Sequence, residues 1–173
     1  MRRIAPAFAL LAALGCADDG GLSVTGSVQI EDAAGTTTGF DFVQRTNLVE
    51  EDLADRDESL FAGHCRIGTD AEGLQVVSVG LTRPASGEGI QLERFRLRFP
   101  EAGDATVEAT LGGSGFQGTA GASCLAELED AQRGDGLVGA DFDCTLEGGD
   151  APVQATGELH FAGCTVDGDD DRR

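Results

Sequence analysis

Five cysteines and two histidines hold most of the chemistry available to this chain of 173 residues: Cys16, Cys65, Cys124, Cys144, Cys164, His64 and His160. Thiols and imidazoles together ligate zinc, and His64-Cys65 with His160 and Cys164 would supply a Cys2His2 set. Their spacing matches no zinc signature, so no metal site is expected. Two histidines are too few for a multi-histidine copper or zinc enzyme, and nothing marks a serine as the nucleophile of a triad. Gly112-Gly113-Ser114-Gly115 is neither a phosphate loop nor a nucleophile elbow. No lysine follows it, and Ser114 is not flanked by glycine at both second positions. Arg94, Arg96 and Arg98 share one parity and form a candidate anion- or carboxylate-binding stripe. On so acidic a chain, pairing with acidic residues of adjacent strands is the stronger expectation for them. Arg133-Gly134-Asp135 spells an integrin-type tripeptide, but a hairpin tip calls for the same residue types. Asp167 to Asp171 has a calcium-like spacing without the terminal glutamate or flanking helices of a calcium loop. No catalytic residue and no cofactor is expected.

The role of Cys16 follows from what precedes it. Arg2-Arg3 opens the chain, and Ile4 to Leu14 is apolar apart from small residues. That run is too short for a membrane-spanning helix, which needs about 20 residues, so it reads as an export signal. It ends in Ala13-Leu14-Gly15-Cys16, and here the chain resembles the bacterial lipoproteins, whose lipobox closes on a small residue and a cysteine. The resemblance implies removal of residues 1–15, diacylglycerol on the Cys16 sulfur and acylation of its new amine. Each buried methylene contributes about 0.8 kcal/mol, and more than one acyl chain is needed for durable anchoring. Ala17 follows the cysteine, where aspartate would retain such a protein in the inner membrane, so the resemblance implies an outer-membrane destination. The competing expectation is ordinary secretory cleavage before Asp18, which would leave a periplasmic or secreted ligand-binding or inhibitor module.

With Cys16 committed to lipid, Cys65, Cys124, Cys144 and Cys164 remain. An even number in an exported chain reads as two disulfides, with three connectivities open. Loss of Arg2 and Arg3 takes the formal charge from −19 to −21. Such a surface repels nucleic acid and anionic headgroups and favours cations and basic proteins. A well-hydrated acidic face is the simpler account of it.

The elements that must position these residues are strands. Residues 16–21 form the lipidated N-terminus and a polar tether whose last five residues reach about 15–20 Å. Leu22, Val24, Gly26, Val28 and Ile30 then alternate with polar residues, the pattern of a half-buried strand. Gly35 lies in a turn, and Phe40 and Phe42 mark a second strand. Asn47 and Glu50 resemble a capping box for a short acidic helix through about Arg56, with a loop as the alternative because the segment holds few apolar residues. Phe61, Gly63, Cys65 and Ile67 share a core-facing parity. Leu74 to Leu81 is apolar on both parities and reads as a central strand covered on two sides. Pro84 to Gly89 is a loop, and the parity switch between Leu92 and Phe95 predicts a bulge near Glu93-Arg94. Ala105 to Leu111 is a further strand that ends in the glycine cluster.

Ala122, Cys124, Ala126 and Leu128 share one parity, and Val138, Ala140, Phe142, Cys144 and Leu146 share another. Between them, Gly134-Asp135-Gly136 is a strong turn signal. Folding about Gly134 sets Cys124 opposite Cys144, where a non-hydrogen-bonded pair brings Cβ atoms within disulfide reach. Cys65–Cys164 follows by elimination. Cys164 is out of parity with the strand through Val153, Ala155, Gly157, Leu159 and Phe161, so either Gly163 supplies a bulge or the strand has ended before it.

The expectation is one all-β domain over residues 22–165, a sandwich or flattened barrel of eight to ten antiparallel strands with two disulfides and an acidic disordered tail at 166–173. In general layout it resembles the small β-rich outer-membrane lipoproteins. That likeness carries no activity with it; the leading expectation is a lipid-anchored envelope protein, non-enzymatic, structural or binding, meeting the membrane through its N-terminal lipid.

Overall fold

The computed structural model describes residues 21–46, 61–83, 90–121, 123–132 and 136–167. The signal with Cys16, the acidic segment 47–56, the loop 84–89, the Arg133-Gly134-Asp135 tip and the tail beyond Asp167 lie outside them. The described chain is all β, and it contains two disulfides.

Its strands are β1 (Leu22–Glu31), β2 (Thr37–Thr46), β3 (Ala62–Thr69), β4 (Gln75–Thr82), β5 (Leu92–Pro100) and β6 (Thr106–Leu111). They continue with β7 (Ser114–Thr119), β8 (Cys124–Gln132), β9 (Leu137–Gly148), β10 (Val153–Ala162) and β11 (Thr165–Val166). Hydrogen bonding orders them β11-β3-β4-β5-β6-β7-β9-β10-β1-β2, with β8 branching from β9. Every pairing is antiparallel except the two-residue β11 on β3. Where eight to ten strands were expected, ten lie on the path and β8 lies beside it.

Alternation builds the core. Val24, Val28 and Ile30 of β1, Val77, Val79 and Leu81 of β4, and Val153, Ala155, Leu159 and Phe161 of β10 all turn inward and are buried. The sheet curls, so residues far apart along it meet. Phe95 of β5 packs on Phe142 of β9 with ring centroids 4.8 Å apart. Phe42 of β2 meets Phe61 edge-on at 5.1 Å, although β2 and β3 lie toward opposite ends of the strand order.

The bulge expected near Glu93-Arg94 is present, as a register shift between Leu92 and Arg94. A second one was not foreseen. The β8–β9 register holds from Cys124–Cys144 to Leu128–Ala140 and then slips at Glu129. The Leu74–Leu81 reading needs correction. Leu74 lies outside β4 and is 38% exposed, while Val76 and Ser78 are only half-buried. Among the described residues no layer covers the outer side of this antiparallel sheet, so the inward parity of β4 is buried while Val76 and Ser78 are not.

The displaced parity of Cys164 also has a structural reason. Gly163 has φ of 87°, a conformation costly for a residue with a Cβ, and it turns the chain out of β10. The amides of Gly163 and Cys164 both donate to the Gly136 carbonyl, and β11 then runs onto β3. Folded chain therefore continues to Asp167, whose carboxylate takes two hydrogen bonds from Arg66, at 2.9 Å from Nε and 2.8 Å from Nη2.

Candidate functional site

The four described cysteines form two bridges, Cys65–Cys164 and Cys124–Cys144. The Thr145 amide donates to the Ser123 carbonyl at 2.7 Å, which makes 123/145 a hydrogen-bonded pair and Cys124/Cys144 the non-hydrogen-bonded pair beside it. The disulfides take up the thiols a Cys2His2 site would need, while His64 and His160 sit on exposed positions of β3 and β10. Among the described residues no group of three or more His, Cys, Asp and Glu side chains is placed to hold a metal ion.

Arg94, Arg96 and Arg98 lie exposed along one face of β5. Their neighbours across β4 are Thr82, Gly80 and Ser78, and across β6 they are Thr110, Glu108 and Thr106. Only Arg96 therefore has a carboxylate directly opposite. Arg94 lines a shallow hollow of about 360 Å³ together with Glu108 and Glu147. Two carboxylates against one guanidinium suit an anion poorly. The three arginines do share one face of β5, and the hollow beside Arg94 does not favour a negative ligand.

A cleft beside β8 involves residues that the sequence did not mark as a site. It holds about 510 Å³ and lies where β8 faces the ends of β4, β5 and β6. Its lining is mixed: Val77, Phe99, Ala105, Ala126 and Leu128 supply apolar surface, and Gln75, Glu101 and Asp104 supply polar and acidic surface. That volume falls within the usual range for ligand sites. The Glu101 carboxylate is held in place by the Gln75 amide, which donates to it at 2.7 Å.

One wall of the cleft is a strand edge. Because Cys124/Cys144 is a non-hydrogen-bonded pair, the backbone groups of Cys124, Ala126 and Leu128 point away from β9. Those of Cys124 are taken by Gly121, whose amide donates to the Cys124 carbonyl at 2.9 Å. Among the described residues β8 pairs with no other strand, so the outward N–H and C=O of Ala126 and Leu128 face the cleft. The edge exists because β9 is longer than β8. Its last residues, Glu147 and Gly148, pair with Gln117 and Phe116 of β7, and the sheet parts from β8 at that point. The only local sign of this in the sequence is Leu125, an apolar residue off parity that proves 59% exposed on the outer face.

A second cluster lies outside, at the β8 bulge. Glu129 and Asp141 share a hydrogen bond, and that bond together with the negative charge of Asp141 raises the Glu129 carboxyl above its ordinary range. Glu158 adds to the rise, and His160 opposes it. A Cβ on Gly139 would lie 3.1 Å from His160 Nδ1 and 3.5 Å from Glu129 Oε2, so these two side chains converge over the bare glycine. Ser23 and Thr25 border the same hollow.

No protein-family model, no curated protein and no solved structure matches the chain.

Proposed function

We propose that the chain is a lipid-anchored cell-envelope protein, attached through Cys16 to the outer membrane, whose β domain has a structural or binding role and performs no chemistry. The observation that carries this reading is the short apolar run Ile4–Leu14 closing on Gly15-Cys16. Support comes from the folded body. Two disulfides suit an exported protein, and β1 begins at Leu22, six residues after Cys16, which holds an anchored domain close to the membrane surface. The non-enzymatic part rests on the absence of a marked nucleophile and base in the sequence. We further infer that the curled sheet works as a flattened barrel left open beside β8, a form favoured by the Phe95–Phe142 contact across its interior.

An intact mass of the mature protein, with and without reductant, tests the anchor. A chain beginning at Cys16 that carries acyl groups is expected, together with two disulfides. A Cys16→Ser variant is expected to leave the membrane fraction. A mature protein that begins at Asp18 without fatty acid would overturn the anchor and favour a secreted or periplasmic module.

A further inference from the structure

We propose that β8 is a docking edge for an extended, basic segment of a partner protein, which adds to the sheet as a further strand beside Ala126 and Leu128. The inference does not depend on the lipid anchor.

Three observations converge on one occupant. The outward amides and carbonyls of Ala126 and Leu128 have no partner among the described residues, so an added strand gains up to four backbone hydrogen bonds. Alternate side chains of that strand would fall on opposite faces. Those facing inward enter the cleft against its apolar residues Val77, Phe99 and Leu128, and those facing outward lie alongside Leu125 and Glu127. The electrostatics select the charge. Glu101 and Asp104 lie beside the cleft, Glu127 and Glu129 are exposed on the outer face of β8, and the chain carries a net charge of −19. A segment that alternates apolar and basic residues matches both faces at once. A second copy of this chain does not, because its own β8 edge carries Glu127 and Glu129 and no basic residue. The bridge from Gly121 to Cys124 and the bulge at Glu129 bound the usable edge, so the recognised segment is short, about five residues.

The position of Ala126 allows a selective test. Its amide points away from β9, so Ala126→Pro removes an edge donor while leaving the β8–β9 ladder intact. The probe is a fluorescein-labelled octapeptide of alternating valine and arginine, titrated by anisotropy against the full-length protein in detergent. A second peptide of alternating valine and glutamate serves as the comparison. Saturable binding of the arginine peptide is expected, with at least about tenfold weaker binding to Ala126→Pro. Glu101→Gln with Asp104→Asn is expected to weaken it several-fold and to reduce its sensitivity to about 0.3 M salt. The proposal is overturned by the absence of saturable binding, by equal affinity for the glutamate peptide, or by unchanged affinity in Ala126→Pro. If Ala126→Pro loses its β circular dichroism, the Glu101/Asp104 variant decides instead, and unchanged affinity there overturns the proposal. A wild-type dimer that Ala126→Pro dissociates would identify a second copy as the occupant and would equally overturn it.

Discussion

Cys65 and Cys164 are separated by 99 residues in sequence, and their Cα atoms lie 4.7 Å apart. The bridge fastens β3 to the end of β10, and β11 takes its place on β3 immediately afterwards. Cys124 and Cys144, by contrast, are 20 residues apart within a single hairpin. In the chain-entropy account a cross-link stabilises by restricting the unfolded chain, more so for longer loops. The two loops then contribute about 4.7 and about 3.3 kcal/mol. Removing the Cys65–Cys164 pair by double alanine substitution is expected to cost more stability than removing Cys124–Cys144. Urea unfolding of the two variants checks the order, and equal losses would refute it.

Phe95 is fully buried and carries the ring contact with Phe142 across the curled sheet. Phe95→Ala is expected to cost about 3–5 kcal/mol, since it loses both the apolar transfer and the packing of the partner ring. Equilibrium unfolding measures this. A loss under about 1 kcal/mol would mean that the two faces do not pack as described.

Gly26 has φ of 128°, and a Cβ placed there would lie 2.1 Å from the Glu158 carbonyl oxygen of the adjacent strand. The obstacle is backbone and cannot swing aside. Gly26→Ala combines this clash with conformational strain and is expected to destabilise by more than about 2 kcal/mol. A thermal midpoint unchanged from wild type would contradict the close approach of β1 to β10.

Glu129 has its carboxyl raised in the folded state, chiefly by the hydrogen bond and charge of Asp141. A group raised on folding contributes stability that is fully present below its unfolded pKa and is lost as pH rises through the folded value. The groups facing it are Asp141 on β9, and Glu158 and His160 on β10. Glu129→Gln keeps a donor toward Asp141 without the charge. It is therefore expected to raise the melting temperature relative to wild type at pH 7, with the gain shrinking toward pH 4. A constant difference across that range would show that the pair does not share a proton.

Much of the fold was legible because half-buried strands write their inward face at every second residue. Val24, Val28 and Ile30, or Val138, Ala140, Phe142 and Cys144, announce both strand and facing without any knowledge of their neighbours. The Cys124–Cys144 register was legible for a related reason. A strong turn signal joins two strands of known parity, and counting from it sets Cys124 opposite Cys144; nearer the turn Gln132 pairs with Leu137, one place off that count, and the slip at Glu129 restores it. Glu129 escaped because a bulge inserts a residue without changing composition. Leu74 and Val76 misled because apolar type alone does not say whether a second layer covers the outer face.

By itself the sequence determined the all-β class, the parity of its strands and the pairing within the Cys124–Cys144 hairpin, all of which follow from local alternation and turn chemistry. Tertiary structure alone decided that β9 outruns β8 and passes its last residues to β7, which leaves Ala126 and Leu128 without a second strand partner among the described residues, beside a cleft. It also decided that Gly163 carries Cys164 across to β3. Both depend on contacts between segments distant in the chain. Such pairings are set by how the whole sheet curls and closes, a property that no window of neighbouring residues contains.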